Sequence, residues 1–169
     1  EGESTQIGAL ISQEHLRKVE SYIQLGIEEG GAVLAGGTRE MTGQVGPTPD
    51  GAFLRPTIID GLNHTSRTVT DEIFGPVVTI HRFDSDDEAI AMANSTEYGL
   101  AGSVWSKDAE RAHALAQKIE TGIVWINTWL HRDLRTPFGG VKNSGVGREG
   151  GYWSLNFFSE PLNVCIKHD

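Results

Sequence analysis

Val77-Val78-Thr79-Ile80-His81-Arg82-Phe83, Leu100-Ala101-Gly102-Ser103-Val104-Trp105 and Ile123-Val124-Trp125-Ile126 are three short apolar runs. Two helical patterns separate them. The first opens at Ser85-Asp86-Asp87-Glu88, a hydroxyl followed three residues later by a carboxylate, the arrangement that satisfies orphan amides at a helix start. It carries Ile90 and Ala93 inward and ends near Asn94. The second, from about Asp108 to Ile119, puts Ala112, Leu115, Ala116 and Ile119 on one face and stops at Gly122. Strands alternating with helices through connections of a few residues predict crossover units and parallel strands, hence an α/β class with flanking helices around a mostly parallel sheet.

Upstream, Leu16, Val19, Tyr22, Ile23 and Ile27 recur at helical spacing and predict a helix from about Ser12 to Glu29, closed by Gly30-Gly31. Ala32-Val33-Leu34-Ala35 reads as a buried strand. Gly36 to Gly51 is rich in Gly, Thr and Pro and reads as a long loop. Phe53 to Asp60 is extended, and Pro56 favours an edge position for it. Downstream, Leu162, Val164 and Ile166 alternate with polar or small residues as in a half-buried terminal strand.

With 169 residues the chain has the size of one domain or of part of a larger protein. A net charge of -9 argues against nucleic acid or an anionic membrane as principal partner. One cysteine excludes a disulfide scaffold and fits a reducing, cytoplasmic setting. No apolar run approaches the ~18 residues that span a bilayer. The chain starts without methionine and without a signal-type core, so it is expected to be the back part of a longer polypeptide or a trimmed one.

Several motifs carry little. Gly145-Val146-Gly147-Arg148-Glu149-Gly150 matches G-x-G-x-x-G, but no strand leads into it, so it reads as a tightly packed turn. The six histidines never recur at metal-ligand spacing, and no metal is expected. Cys165, in a terminal strand pattern, reads as a small buried or half-buried apolar residue.

Three stretches are too polar and glycine-rich for packing alone. In Asp71-Glu72-Ile73-Phe74-Gly75-Pro76 a carboxylate and a ring stand at a strand's entrance, placed to accept two hydrogen bonds from a sugar diol and to flank a planar heterocycle. The bland alternative is a loop acid beside a core phenylalanine. Trp129 to Gly140 follows a strand, where ligands gather in open α/β sheets, and contains Arg132 and Arg135. Either arginine can hold a carboxylate, or simply pair with Asp133 or another surface acid. The third stretch is the turn from Lys142 to Gly150.

Glu72-Ile73-Phe74-Gly75-Pro76-Val77, Asn94-Ser95-Thr96 with Tyr98-Gly99-Leu100-Ala101, and Pro137-Phe138-Gly139-Gly140-Val141-Lys142-Asn143-Ser144-Gly145 with Gly147-Arg148-Glu149 together resemble the aldehyde dehydrogenase superfamily. The likeness covers essentially the whole chain and corresponds to the C-terminal part of a longer subunit. It implies that residues 1–160 are the later part of the catalytic domain and 161–169 a terminal oligomerisation strand. The coenzyme domain, the nucleophilic cysteine and the glutamate base are then expected upstream, with no catalytic residue in this chain and no activity from it alone. The implied coenzyme is NAD, with NADP open. Glu72 resembles the residue binding the nicotinamide ribose hydroxyls, Phe74 its aromatic neighbour, and Lys18 a contact to the adenosine ribose. One turn before Lys18, His15 stands where many relatives have glutamine. Phe138 resembles an aromatic wall of the substrate tunnel. The loop from Trp129 to Thr136 is similar to that of the 2-aminomuconate and 2-hydroxymuconate semialdehyde dehydrogenase branch, in which an arginine matching Arg132 engages a substrate carboxylate; Arg135 is the weaker candidate. The resemblance thus implies a small acidic aldehyde as substrate and a homodimer or homotetramer. The rival expectation is a non-catalytic assembly module that keeps the fold.

Overall fold

A computed structural model describes residues 7–38 and 51–168. The chain divides into two compact units, Glu1–Asp84 and Ser85–Asp169.

The first unit begins with α1 (Gln13–Glu28). The Ser12 side chain caps it by accepting from the His15 amide at 3.0 Å, and Leu16, Val19, Ile23 and Gly26 form its buried stripe. Gly30, at φ 93°, ends the helix. β1 (Ala32–Ala35) pairs antiparallel with β2 (Thr57–Asp60), with a bulge between Val33 and Ala35. A short helix, α2 (Arg67–Thr70), lies in the crossover to β3 (Val77–Ile80), which runs parallel to β2 with Thr57 opposite Val77. Leu16, Val19, Ile23, Ala52, Leu54 and Ile73 make the core.

In the second unit, α3 (Asp86–Asn94) is capped by Ser85, whose hydroxyl accepts from the Glu88 amide at 3.2 Å. β4 (Tyr98–Gly99) is followed by β5 (Ala101–Val104), α4 (Ala109–Ala116) and β6 (Ile123–Ile126). β5 and β6 are parallel, Ala101 opposite Ile123, so this stretch is the expected βαβ crossover. The Asp108 side chain caps α4, and Ala112 is fully buried beneath it. β7 (Val141–Lys142) pairs antiparallel with β4, and α5 (Gly151–Phe158) closes the unit.

The α/β class holds, but the parallel pairs lie in separate small sheets: β2–β3 in a three-stranded sheet with antiparallel β1, and β5–β6 in a two-stranded sheet of its own, with β4–β7 a third, antiparallel pair. Some details depart from expectation. β2 is the middle strand of its sheet, not an edge, because Pro56 sits just before the strand and costs it no ladder donor. Ala93 faces outward, while Ala89, Ile90 and Met92 are half-covered. Most of the expected loop from Gly36 to Gly51 lies outside the described residues. Pro161 to His168 forms no strand and is exposed throughout. Cys165 is consequently exposed rather than buried.

Candidate functional site

Glu72, Ile73 and Phe74 stand in the β2–β3 crossover with period-2 exposure: Ile73 enters the core while its neighbours face solvent. Phe74 is 74% exposed, so the core-phenylalanine alternative fails; Ile73 fills that place. Phe74 also adopts φ 59°, a left-handed conformation that a bulky residue holds only under outside constraint.

α1 supplies that constraint. Nε2 of His15 lies 2.6 Å from the Phe74 carbonyl, and the two rings meet edge to face. One turn on, Nζ of Lys18 donates to the Glu72 carbonyl at 3.3 Å and stands 5.9 Å from the Tyr22 ring centroid. Gly75 completes the fit, since a Cβ there would lie 2.6 Å from a methyl of fully buried Val19. Behind Glu72, Asp71 accepts from the Tyr22 hydroxyl at 3.0 Å and from Nε and Nη2 of Arg67 at 3.1 and 3.0 Å. Burial, and then the hydrogen bond to Asp71, push the Tyr22 phenol above its ordinary value. Among the described residues no side chain bonds the Glu72 carboxylate. Lys18, Glu72 and Phe74 are therefore brought together, with a free carboxylate and an exposed ring suited to a sugar diol and a heterocycle.

In the second unit the loop after β6 is fastened at its root. Nε1 of buried Trp125 donates to the His131 carbonyl at 2.6 Å, and Trp125 meets Trp129 edge to face at 4.9 Å. The Asn127 side chain accepts from the Ser106 amide and donates to the Ser106 carbonyl, both at 2.8 Å. This sets Arg132 over Phe138, guanidinium to ring centroid 4.2 Å. Nη2 of Arg132 donates to Glu149 at 2.5 Å. Main-chain bonds of 2.8 Å in both directions join Phe138 to Glu149. A cavity of about 340 Å³ opens beside them, bordered by Phe138, Glu149, Gly147 and Phe157.

Arg135 behaves differently. Its guanidinium is held by Asp133, two residues back, through bonds of 2.9, 3.1 and 2.5 Å, and its side chain is 87% exposed. These bonds hold the Asp133 carboxyl below its ordinary value. The glycine-rich turn packs as expected: a Cβ on Gly147 would sit 2.0 Å from the Phe157 ring, and Nη1 of Arg148 donates to the carbonyls of Gly140 and Gly147 at 2.9 and 2.6 Å. His15 and Glu149 are the contacts that sequence reasoning assigned no role. His15 was discoverable from its position one turn before Lys18; Glu149 pairs with Arg132 across 17 residues of chain and left no local signal.

Residues 1–164 match the family model described as the aldehyde dehydrogenase family. Among curated relatives, the 2-aminomuconic 6-semialdehyde dehydrogenase of a Pseudomonas species is 49% identical over 98% of this chain and 33% of its own length. The 2-hydroxymuconic semialdehyde dehydrogenase of Pseudomonas putida is 50% identical over 95% of the chain and 32% of its own. The human 2-aminomuconic semialdehyde dehydrogenase is 44% identical, over 96% and 33%. A crystal structure of betaine aldehyde dehydrogenase from Staphylococcus aureus in complex with NAD+ superposes with a TM-score of 0.87 at 41% identity, covering 93% of this chain and 31% of that one. An aldehyde dehydrogenase mutant from Bacillus cereus gives 0.86 at 38% identity, over 94% and 31%. The chain thus spans about a third of the length of the relatives it matches.

Proposed function

The chain belongs to the aldehyde dehydrogenase family, and from that premise we propose that it is the C-terminal portion of an enzyme oxidising an aldehyde to a carboxylic acid with NAD(P)+. The substrate we infer is a semialdehyde of the muconic type, bearing a carboxylate remote from the aldehyde. The bound coenzyme accepts the hydride; the attacking thiolate and the base for water come from the rest of the polypeptide. Residues 1–160 complete the catalytic domain.

The roles of this chain's residues follow from their chemistry. The Glu72 carboxylate accepts from the two hydroxyls of the nicotinamide ribose, and Phe74 flanks the ring beyond it. Lys18 has donors to spare after its bond to the Glu72 carbonyl and reaches the adenosine ribose. Phe138 walls the substrate tunnel, and Arg132 receives the remote carboxylate in a charge-assisted bond worth about 1.5–3 kcal/mol. Arg135, 87% exposed and bonded to Asp133 two residues back, is the weaker candidate for that role. A cationic aldehyde such as betaine aldehyde gains no such bond at Arg132. Leu162, Val164 and Ile166, all more than 70% exposed, support the assignment of 161–169 to a strand that joins subunits of a homodimer or homotetramer. Among the described residues no helix is long and apolar enough to cross a membrane, and a cytoplasmic location belongs to the same proposal.

The observation that carries the reading is the Arg132 guanidinium stacked on Phe138 in a chain 44–50% identical to enzymes named for muconic semialdehydes. The test is NADH formation by the complete polypeptide containing this sequence, offered 2-hydroxymuconic semialdehyde, 2-aminomuconic semialdehyde and a neutral aldehyde of equal length. Preference for the acidic aldehydes supports the assignment. No turnover of any of them favours an assembly module instead.

A further inference from the structure

Arg132, Phe138 and Glu149 form a clasp. The Phe138–Glu149 main-chain bonds fix the carboxylate's origin against the ring, and the guanidinium lies across the ring at 4.2 Å with Nη2 on Glu149 at 2.5 Å. Both charges remain reachable, with side-chain exposures of 35% for Arg132 and 58% for Glu149. A partly exposed ion pair of this kind rearranges at little cost. A guanidinium has five N–H donors, and Glu149 engages Nη2, leaving donors for a second acid.

We propose that Glu149 is a specificity-determining residue acting through Arg132, an internal competitor for the guanidinium that sets how strongly an acidic aldehyde is preferred over a neutral one. This deepens, and rests on, the assignment of Arg132 to the substrate carboxylate. Charge balance at the guanidinium sets the preference. Beside Glu149 the guanidinium belongs to a neutral pair, so an incoming carboxylate meets both an attraction and a repulsion. Removing the negative charge while keeping an acceptor oxygen leaves the attraction alone. The same balance lets Glu149 retake Nη2 as the acidic product departs.

The experiment measures kcat and KM of the complete polypeptide for 2-hydroxymuconic semialdehyde and for hexanal, in the wild type, Glu149→Gln, Glu149→Asp, Arg132→Ala and the Arg132→Ala/Glu149→Gln double variant. The readout is the ratio of the two kcat/KM values, in which any general effect on the chemical step cancels. We expect Glu149→Gln to raise the acidic-to-neutral ratio about two- to five-fold, the scale of an exposed charge pair, through a lower KM for the acidic aldehyde. Glu149→Asp should stay near the wild type, and in the Arg132→Ala background the Glu149 change should leave the ratio alone. An unchanged or falling ratio in Glu149→Gln, while Arg132→Ala still abolishes the preference, overturns the competitor role and spares the substrate assignment. A ratio unaffected by Arg132→Ala overturns both. The Phe138 bridge uses only main-chain atoms of residue 149, so Glu149→Ala gives the same comparison should the glutamine variant not fold.

Discussion

Nε2 of His15 lies 2.6 Å from the carbonyl oxygen of Phe74, joining the first helix to a residue 59 positions away whose backbone is left-handed. The Glu72–Phe74 segment is therefore shaped by α1 rather than by its own strand, and what α1 presents at positions 15 and 18 governs how the candidate coenzyme residues stand.

His15→Ala should weaken this hold without unfolding the protein. Loss of one hydrogen bond is worth about 0.5–1.5 kcal/mol, so KM for NAD+ in the complete enzyme is expected to rise about two- to ten-fold, with the aldehyde KM little changed. His15→Gln, whose amide also donates to a carbonyl, should remain close to the wild type. An equal rise for both variants would show that the ring contact, not the hydrogen bond, sets the segment.

The close approach of Gly75 to Val19 yields a packing prediction. A methyl at position 75 meets two Val19 carbons at 2.6 and 2.8 Å, both belonging to a side chain with no exposure. Overpacking of this sort costs about 1–3 kcal/mol. Gly75→Ala should lower the melting temperature, and Val19→Ala in the same molecule should recover part of the loss because the sites share one contact. Additive losses in the double variant would contradict the geometry.

The two arginines of the β6 loop should separate cleanly. Arg132→Ala is expected to raise KM for a muconic semialdehyde about ten- to a hundred-fold, matching a charge-assisted bond of about 1.5–3 kcal/mol, and to leave hexanal unaffected. Arg135→Ala, which breaks only an exposed pair with Asp133, should change either KM less than two-fold or so. Steady-state kinetics with both aldehydes checks the pair; an Arg135 effect equal to that of Arg132 would return both to candidacy.

How much of this was legible in the sequence follows from where the signal lies. The βαβ stretch announced itself because Ser85 and Asp108 cap locally and Ala112, Leu115 and Ala116 repeat on one face. α5 did not, because Tyr152, Trp153, Leu155, Phe157 and Phe158 are apolar on every side and give no period to read. β4 and β7 escaped because two-residue strands are made by pairing, not by propensity. Glu72, Phe74, Arg132 and Phe138 stand out by residue type and likeness; of their partners, His15 is marked only by its place one turn before Lys18, and Glu149 acts across the fold, where spacing carries no information. The alternation in Pro161 to Ile166 pointed to a strand that this chain does not pair by itself.

Glu29 gives the last prediction, in pH. Ser66, at the start of α2, makes no side-chain cap; instead the Glu29 carboxylate accepts the amides of Arg67 at 2.9 Å and Thr68 at 3.1 Å. Burial alone would raise its proton affinity, but the hydrogen bonds from Thr68 and then Arg67 outweigh it and hold the carboxyl below its ordinary value. A carboxyl depressed in the folded state adds stability that is fully present above its unfolded value and is lost as pH falls through the folded one. Glu29→Gln keeps an acceptor and removes the titration. It should cost about 0.5–2 kcal/mol at neutral pH, the range of a helix cap, and the gap from the wild type should close as the pH is lowered below the carboxylate range. Because α2 leads directly into Asp71 and Glu72, the same variant should raise KM for NAD+ at neutral pH. Melting curves from neutral to acid pH, with coenzyme KM alongside, test both; a stability gap that persists undiminished into acid would remove Glu29 as the cap.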